Sequence, residues 1–216
     1  MAIFADRADA GRQLAVELST LDDQTAIVFG IPRGGVIVAA EVARVLGLPL
    51  AAVVVRKLGA PAHEEYAIGA IAEEAEVVDE AAMRHTGVTA AQWAAVEDRE
   101  REELVRRTRL FASVPAAPAD RTAIVIDDGI ATGATATAAC RSLRARGAAR
   151  IVLAVPVAPA TWRPDPAIVD RYVCPHPIHD FWAVGRFYRD FRQTPDDEVS
   201  RALSAGLPVD DASGEG

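Results

Sequence analysis

Lysine is almost absent from this 216-residue chain, which has twenty-two arginines and one lysine, Lys57. Cysteine is also scarce: Cys140 and Cys174 have neither a metal-binding nor a disulfide-framework spacing, and we expect both to be ordinary buried thiols. The sequence G-x-x-x-x-G-K-[ST] does not occur, which excludes a P-loop nucleotide hydrolase.

Long apolar runs and an excess of positive charge are missing as well. No run reaches the ~18 apolar residues of a membrane span, and the first residues lack the apolar stretch of a signal peptide. A net charge of −8 disfavours nucleic acid and anionic membranes as partners. We therefore expect a soluble, cytoplasmic protein that holds any bound anion with local positive groups. Its oligomeric state stays open, a homo-oligomer included.

Half of the residues are hydrophobic, which is ample for one core. The order of apolar segments predicts strands that alternate with helices, as in a parallel α/β sheet flanked by helices. The predicted strands are 26–30, 50–56, 76–79, 123–127, 151–155 and 172–174. The predicted helices are 7–18, 34–46 and 133–146, with further helices between 80 and 111. A linker is expected at 114–120 and a disordered tail at 210–216.

The segment 123–137, AIVIDDGIATGATAT, carries the strongest functional signal. It starts as a buried parallel strand, so Asp127 and Asp128 fall at the carboxyl edge of the sheet, where open α/β sheets bind ligands. The next residues are small enough for backbone N–H groups to approach an anion, and the following helix points its positive end to the same place. These residues are Ala131, Thr132, Gly133, Ala134 and Thr135. The pattern predicts a phosphate site, and the alternative is a core strand followed by two exposed acids.

This segment resembles the phosphoribosyl pyrophosphate (PRPP) signature of the type I phosphoribosyltransferases, an apolar strand with two acids and a Thr/Gly loop. The resemblance implies that Asp127 and Asp128 hold the ribose hydroxyls and contact Mg²⁺ indirectly, through PRPP and water. It implies that residues 131–135 hold the 5-phosphate. The segments FADRADAG and RKLGAPAHEEYAIGAIAE are similar to a less characterised branch of predicted phosphoribosyltransferases.

Lys57 follows an apolar strand candidate and, with Arg56, precedes the segment 58–68, whose composition predicts a mobile loop. A single lysine must stand somewhere, so its position alone leaves both a functional role and an incidental placement open. The sequence VVRKLGAPAHEE is similar to the flexible catalytic loop of orotate-type phosphoribosyltransferases, which closes over pyrophosphate. The resemblance implies that Arg56 and Lys57 bind pyrophosphate, with His63 and Glu65 as weaker loop candidates.

The turn GIPRGG, residues 30–35, joins another predicted strand to a helix. Gly34 and Gly35 permit a close backbone approach, and Arg33 adds a donor fork for phosphate oxygens. Such a turn is unremarkable by itself. It resembles the family's pyrophosphate loop, which implies that Arg33, Gly34 and Gly35 bind pyrophosphate. The catalytic set implied for the chain is Asp127, Asp128, Lys57 and Arg33.

The C-terminal region concentrates the few aromatic residues of the chain. In type I relatives a hood caps the core at this place, so the resemblance implies one domain over 1–216, with a core at about 20–160 and a hood at about 161–208. Phe181 and Trp182 are candidates for stacking on a planar acceptor. Burial in the core of the hood is the alternative for both.

The resemblance implies a Mg²⁺-dependent phosphoribosyltransferase that transfers the 5-phosphoribosyl group of PRPP to a nitrogen acceptor and releases pyrophosphate. Hypoxanthine-guanine enzymes carry a third acid in the phosphate loop, and the matching residue here is Ala131. This departure leaves the acceptor class open, a nucleobase or a related heterocycle. A non-catalytic PRPP sensor is the alternative function, and a hydrolase or phosphorylase acting on a ribosyl phosphate is a further one.

Overall fold

Five parallel strands form the central sheet of the computed structural model, which describes residues 2–21, 23–111 and 117–206. With strands numbered along the chain, their spatial order is β2 (Leu50–Ala52), β1 (Ile27–Gly30), β6 (Thr122–Ile126), β7 (Arg150–Ala154) and β9 (Arg171–Val173). The sequence predicted a parallel α/β sheet flanked by helices, and the structure confirms it.

Both faces of this sheet are covered, because its strands are apolar on both sides. Every residue of β1 and β6 is buried. Along β6, Ile124 and Ile126 pack into one apolar cluster, whereas Ala123 and Val125 pack into the other. The sheet is therefore the middle layer of a three-layer core.

The helices in the described ranges are α1 (Arg7–Leu18), α2 (Gly34–Leu46), α3 (Glu80–Thr86), α4 (Ala90–Phe111), α5 (Ala134–Ala145) and α6 (Asp196–Ser204). Leu14 of α1, Val38 of α2 and Leu203 of α6 share one apolar cluster, and Leu143 of α5 belongs to the cluster on the opposite face. The predicted bounds of α1 and α2 are confirmed, and those of α5 are correct within one residue at each end.

A second, antiparallel sheet of β3 (Val55–Ala60), β4 (His63–Ala72) and β5 (Ala75–Val78) was not predicted. The predicted single strand 50–56 is wrong, because the chain leaves the central sheet after Ala52 and Val55 pairs with Ala72. The predicted mobile loop 58–68 is wrong as well. It forms a β3–β4 hairpin whose Leu58 and Ile68 are fully buried, so packing keeps the segment in the strand conformation.

The hood, which we define as residues 176–194 with Ile3 and Phe4, uses both ends of the described chain. It contains β10 (His176–Ile178), which pairs in parallel with β8 (Val157–Pro159), and the 3-10 helix Val184–Phe187. The N–H groups of Ile3 and Phe4 donate to the Phe187 carbonyl at 2.8 and 2.9 Å. The sequence had assigned the hood to C-terminal residues alone.

Several further predictions can be placed. The predicted tail 210–216 and residues 114–116 of the predicted linker lie outside the described residues. Within the described ranges, no helix combines the length and apolar character that crossing a membrane requires. Cys140 is buried, as expected, whereas Cys174 is partly buried, and burial raises the pKa of both thiols.

Candidate active site

A tight turn of mostly small residues, 129–133, connects β6 to α5. We call it the phosphate turn, after the site that the sequence predicts here. Gly133 precedes α5 with a φ of 85°, in the left-handed region that favours glycine. No side chain caps α5 at this end, so the backbone N–H groups of its first turn suit an anion. Trp162 supports the turn from outside, because its Nε1 donates to the Thr132 carbonyl at 3.2 Å.

Asp127 and Asp128 lie at the carboxyl end of β6, and their environments differ. Arg7 Nε donates to Asp128 Oδ2 at 2.7 Å, whereas no ion pair reaches Asp127 from the described residues. Asp127 Oδ1 accepts the Asp128 N–H at 2.9 Å. Burial raises the pKa of both carboxyls, and the neighbouring Asp128 carboxylate raises the pKa of Asp127 further, well above its usual range. Asp127 is therefore the acid that a bound cation would stabilise most.

The turn that enters α2 lies directly against this acid pair. A Cβ on Gly34 would lie 2.0 Å from Asp128 Oδ2, and one on Gly35 would lie 3.0 Å from Asp127 Oδ1. Both positions therefore require glycine at this close approach. The peptide between Pro32 and Arg33 is cis, and Arg33 Nη1 lies 3.5 Å from Asp196 Oδ1 of α6.

Two adjoining clefts meet above the acid pair, and both are lined by Asp127 and Thr135. The first cleft, of about 370 Å³, runs between the phosphate turn and the β3–β4 hairpin, and Lys57 lines it. The second cleft, of about 330 Å³, runs between the turn at Arg33 and Gly34 and the hood. A phosphorylated sugar placed over the acids would thus have a possible anion site on either side.

The structure brings most predicted site residues together at these clefts. Those that line the first are Lys57, Asp127, Ala131, Thr132, Gly133 and Thr135. Those that line the second are Arg33, Gly34, Asp127, Asp128 and Thr135. Gly35 lies directly beneath Asp127, and Ala134 is the first residue of α5. The carboxyl ends of β1 and β6 meet at these clefts, as the sequence predicted, whereas Lys57 reaches them from within β3 and not from the end of a strand of the central sheet.

Arg56 lies elsewhere. Its Nε and Nη2 donate to Glu100 Oε2 at 2.9 and 2.6 Å, which binds β3 to α4. Successive side chains of a strand point to opposite faces, so Arg56 turns away while its neighbour Lys57 faces the phosphate turn. The prediction that Arg56 binds pyrophosphate therefore needs correction, because its guanidinium is committed to a mostly buried carboxylate.

The two loop candidates do not join the acid pair. His63 lines a different cleft, of about 430 Å³, with Tyr66 of the same hairpin and His85 of α3. Tyr66 also lines the first cleft, so it separates the two spaces. The side chain of Glu65 lies outside the described part of the structure.

The sequence left two interpretations open for Phe181 and Trp182, stacking on an acceptor or burial in the core of the hood, and the structure separates the two residues. Phe181 packs against Phe187, with ring centroids 5.4 Å apart, as part of the apolar cluster of the hood. Trp182 is 80% exposed, so the alternative of hood-core burial is wrong for it. Stacking of Trp182 on an acceptor stays a prediction.

Three residues that sequence reasoning missed complete the surroundings of the site. They are Arg7, Trp162 and Tyr188. The Tyr188 hydroxyl donates its proton to the Asp128 carbonyl at 2.5 Å. Burial raises the pKa of this phenol, and the charge of Asp128 adds to the rise. Arg7 and Tyr188 lie 121 and 60 positions from Asp128 in the chain, so no local pattern signals their contact.

Comparison with known proteins gives consistent results. The family model described as "Phosphoribosyl transferase domain" matches residues 3–192. Proteins named "Putative phosphoribosyl transferase" from two strains of Mycobacterium tuberculosis, CDC 1551 / Oshkosh and H37Rv, are 47% identical in an alignment of 210 residues that covers 92% of this chain. The match covers 46% of each relative, so this chain spans about half the length of the curated relatives it matches.

Two solved structures resemble the fold over nearly the whole chain. TT1426 from Thermus thermophilus is 38% identical, with a TM-score of 0.72, and the match covers 94% of this chain and 98% of TT1426. A hypothetical protein from Neisseria gonorrhoeae, solved with bound ppGpp, is 15% identical with a TM-score of 0.52, over 95% and 97% of the two chains. The second likeness concerns the fold alone. The family match, the identity to these relatives and the sheet with its acid pair and phosphate turn agree: this chain belongs to the type I phosphoribosyltransferase family.

Proposed function

We propose that this protein transfers the 5-phosphoribosyl group of PRPP to a nitrogen atom of a planar heterocycle, such as a nucleobase, and releases pyrophosphate. One observation carries the proposal: the acid pair lies between two clefts, each of which contains a helix N-terminus and a basic side chain. A molecule with phosphate groups on both sides of a ribose matches this arrangement.

The 5-phosphate would bind at the phosphate turn, where the N–H groups of the first turn of α5 and the hydroxyls of Thr132 and Thr135 can donate. The ribose would then lie over Asp127 and Asp128, whose carboxylate oxygens accept from its 2- and 3-hydroxyls. The pyrophosphate would extend along the second cleft, toward Arg33 and the N-terminus of α2.

A magnesium ion fits this donor set. Mg²⁺ takes oxygen ligands and is usually held by one or two carboxylates, water and substrate phosphates. In the described ranges no cluster of three or more His, Cys, Asp or Glu residues could hold a metal, whereas Asp127 and Asp128 offer carboxylate oxygens in a mostly buried place. These two acids would hold the ion through water and through PRPP. When bound, it would neutralise charge on the departing pyrophosphate.

In the chemical step, the C1–O bond of PRPP breaks and its electron pair leaves with pyrophosphate. Arg33 lines the second cleft, where that negative charge develops, and Lys57 supplies positive charge from the first cleft, across the acid pair. The acceptor nitrogen donates its lone pair to C1 from the opposite side, with inversion. Its proton passes to solvent, because Ala131 stands where hydroxypurine enzymes carry an acid. We therefore favour acceptors that need no acid at this position.

The hood provides the wall that an acceptor would meet. Val184 lines the first cleft, and Phe191, Gln193 and Thr194 line the second. Because the second cleft would hold the pyrophosphate and the acceptor attacks from the opposite side, Val184 is the hood residue on the acceptor's side of the acid pair. Trp182, two residues before Val184, is exposed and available to stack.

The proposal is tested by incubating the protein with Mg²⁺, PRPP and a panel of nucleobases and other nitrogen heterocycles, while pyrophosphate release is followed. An Asp128→Asn variant serves as the control. Release that depends on one acceptor supports a transferase and names the acceptor class. PRPP binding without release for any acceptor supports the sensor alternative. Absence of both binding and release contradicts PRPP as the ligand.

A further inference from the structure

Arg7, in the first turn of α1, extends from the N-terminal helix into the acid pair. Its Nε donates to Asp128 Oδ2 at 2.7 Å, and its side chain is only 12% exposed. A charge-assisted hydrogen bond in so protected a place is stronger than one at the surface. The carboxylate of Asp128 is therefore held in one orientation by a residue that is distant in sequence.

The same guanidinium also holds the hood. Its Nη1 donates to the Arg192 carbonyl at 2.8 Å, and its Cζ lies 4.0 Å from the centre of the Phe191 ring. The planar fork of arginine allows a carboxylate contact, a carbonyl contact and ring stacking at once, which a lysine cannot reproduce. Phe191 lines the second cleft, so Arg7 connects both walls of that cleft.

The turn at Gly34 confirms how closely these groups fit. A Cβ on Gly34 would lie 2.0 Å from Asp128 Oδ2 and 2.5 Å from Arg7 Nε. The glycine thus leaves just enough room for the Arg7–Asp128 pair beneath the turn. By contrast, Asp127 has no such cation partner among the described residues.

We propose that Arg7 is a positioning residue of the phosphoribosyl site, which fixes the Asp128 carboxylate toward the ribose and clamps the Phe191–Arg192 segment beside it. This inference rests on the proposed function, since it assigns a role in binding PRPP. The two acids then differ in role: Asp128 is oriented by Arg7 for the ribose, and Asp127 forms no ion pair with the part of the chain that the structure describes. Arg7 also lines the second cleft, but its Nε already engages Asp128, so its effect on PRPP passes through that carboxylate.

A double-mutant cycle tests this role through PRPP affinity, measured by calorimetry in the presence of Mg²⁺. We expect Arg7→Gln to weaken PRPP binding about 10- to 100-fold, because Asp128 then loses the charged hydrogen bond that orients its carboxylate. Arg7→Lys should recover part of the affinity because it keeps the charge. Arg12→Gln is the matched control on the same helix: Arg12 is exposed and pairs with Asp9 at 3.6 Å, so its loss should change nothing.

The Asp128→Asn background separates positioning from other roles. If Arg7 acts through Asp128, Arg7→Gln should have little further effect once Asp128 is replaced. If the two losses multiply, Arg7 contacts the substrate directly or only supports the fold, and the proposal is overturned. Should Arg7→Gln fail to fold, the same cycle with Arg7→Lys gives the answer.

A crystal structure of ligand-free Arg7→Gln gives a readout that needs no PRPP. We expect the Asp128 carboxylate to rotate and the Phe191–Arg192 segment to move away from the acid pair. An unchanged carboxylate and hood would overturn the positioning role. If instead the wild-type protein binds no PRPP, the proposed function fails, while this structure still decides whether Arg7 orients Asp128.

Discussion

Arg56 and Lys57 are consecutive residues of β3, yet their side chains serve opposite faces of the hairpin. Arg56 makes a two-pronged contact with Glu100 of α4, and Lys57 lines the cleft beside the phosphate turn. Glu100 is 8% exposed. The Arg56–Glu100 ion pair therefore fixes the face of β3 that packs against α4, and the opposite face presents Lys57 to the cleft.

Replacing Arg56 should lower the stability of the fold and not the affinity for ligand. Arg56→Gln leaves the buried Glu100 carboxylate without its main partner, since Arg99 contacts only its other oxygen. We expect a loss of about 1 to 3 kcal/mol in the free energy of unfolding, measured by urea denaturation. The double variant Arg56→Met, Glu100→Leu should recover most of this loss and keep PRPP affinity. A double variant that is stable but binds PRPP poorly would support the prediction that Arg56 binds pyrophosphate.

Lys57 is expected to act on turnover. Lys57→Met removes positive charge from the cleft without removing the apolar stem, so the fold should persist. If this charge stabilises departing pyrophosphate, kcat should fall about 100- to 1,000-fold, as for other preorganised groups that meet developing charge. His63→Ala is the control on the same hairpin, because His63 lines a different cleft. An unchanged kcat in Lys57→Met would remove Lys57 from the catalytic set.

Local sequence patterns predicted those parts of the site that local backbone structure builds. The strand, acid pair and small-residue turn of 123–137 lie within one continuous segment, and so does the turn at 30–35. The hairpin was missed because its stability comes from burial of Leu58 and Ile68 against distant helices, whereas Gly59 and Pro61 suggested a loop. Its antiparallel pairing depends on tertiary packing, which the strand propensity of single residues does not reveal.

The partners of the acid pair were missed for a related reason. Arg7 and Tyr188 reach Asp128 from the two ends of the described chain, and nothing at either end marks such a contact. Trp162 likewise supports the phosphate turn from a segment with no recognisable motif. Sequence thus predicted the backbone around the acid pair, and only the folded structure shows what orients the two carboxylates.

Gly133 offers a test of the phosphate turn. Gly133→Ala would place a methyl group 2.2 Å from Trp162 Nε1 and would also strain a backbone with φ of 85°. The strain alone costs about 1 to 2 kcal/mol, and the clash must in addition displace the indole or the turn. We expect lower stability and weaker PRPP binding, measured by thermal unfolding and calorimetry.

Gly87 provides the matched control for that variant. Its φ is 64°, close to that of Gly133, but a Cβ there would have no neighbour within 4 Å. Gly87→Ala should therefore show the backbone strain alone, with PRPP affinity unchanged. Equal losses of affinity in the two variants would mean that the turn at Gly133 has no special part in phosphate binding.

The two acids should respond differently to neutralisation in the ligand-free protein. Burial raises the pKa of Asp127 above its value in the unfolded chain, so the folded state binds this proton more readily. The free energy of unfolding should therefore fall as pH rises from about 4, the unfolded value, through the raised pKa. Asp127→Asn removes the buried charge, and we expect it to gain about 0.5 to 2 kcal/mol at neutral pH and to lose this pH dependence.

Asp128→Asn should stabilise the ligand-free protein less than Asp127→Asn does, because it also leaves the guanidinium of Arg7 without its carboxylate in a place that is 12% exposed. Loss of that charged hydrogen bond costs about 1.5 to 3 kcal/mol, which offsets the gain from removing the buried charge. Both variants should bind PRPP about 10- to 150-fold more weakly, since each removes a charged acceptor for ribose or for the ion. Urea unfolding between pH 4 and 8 and calorimetry with PRPP measure the two effects. If Asp127→Asn were no more stable than the wild type, or kept the full wild-type slope with pH, the buried charge of Asp127 would not destabilise the ligand-free protein.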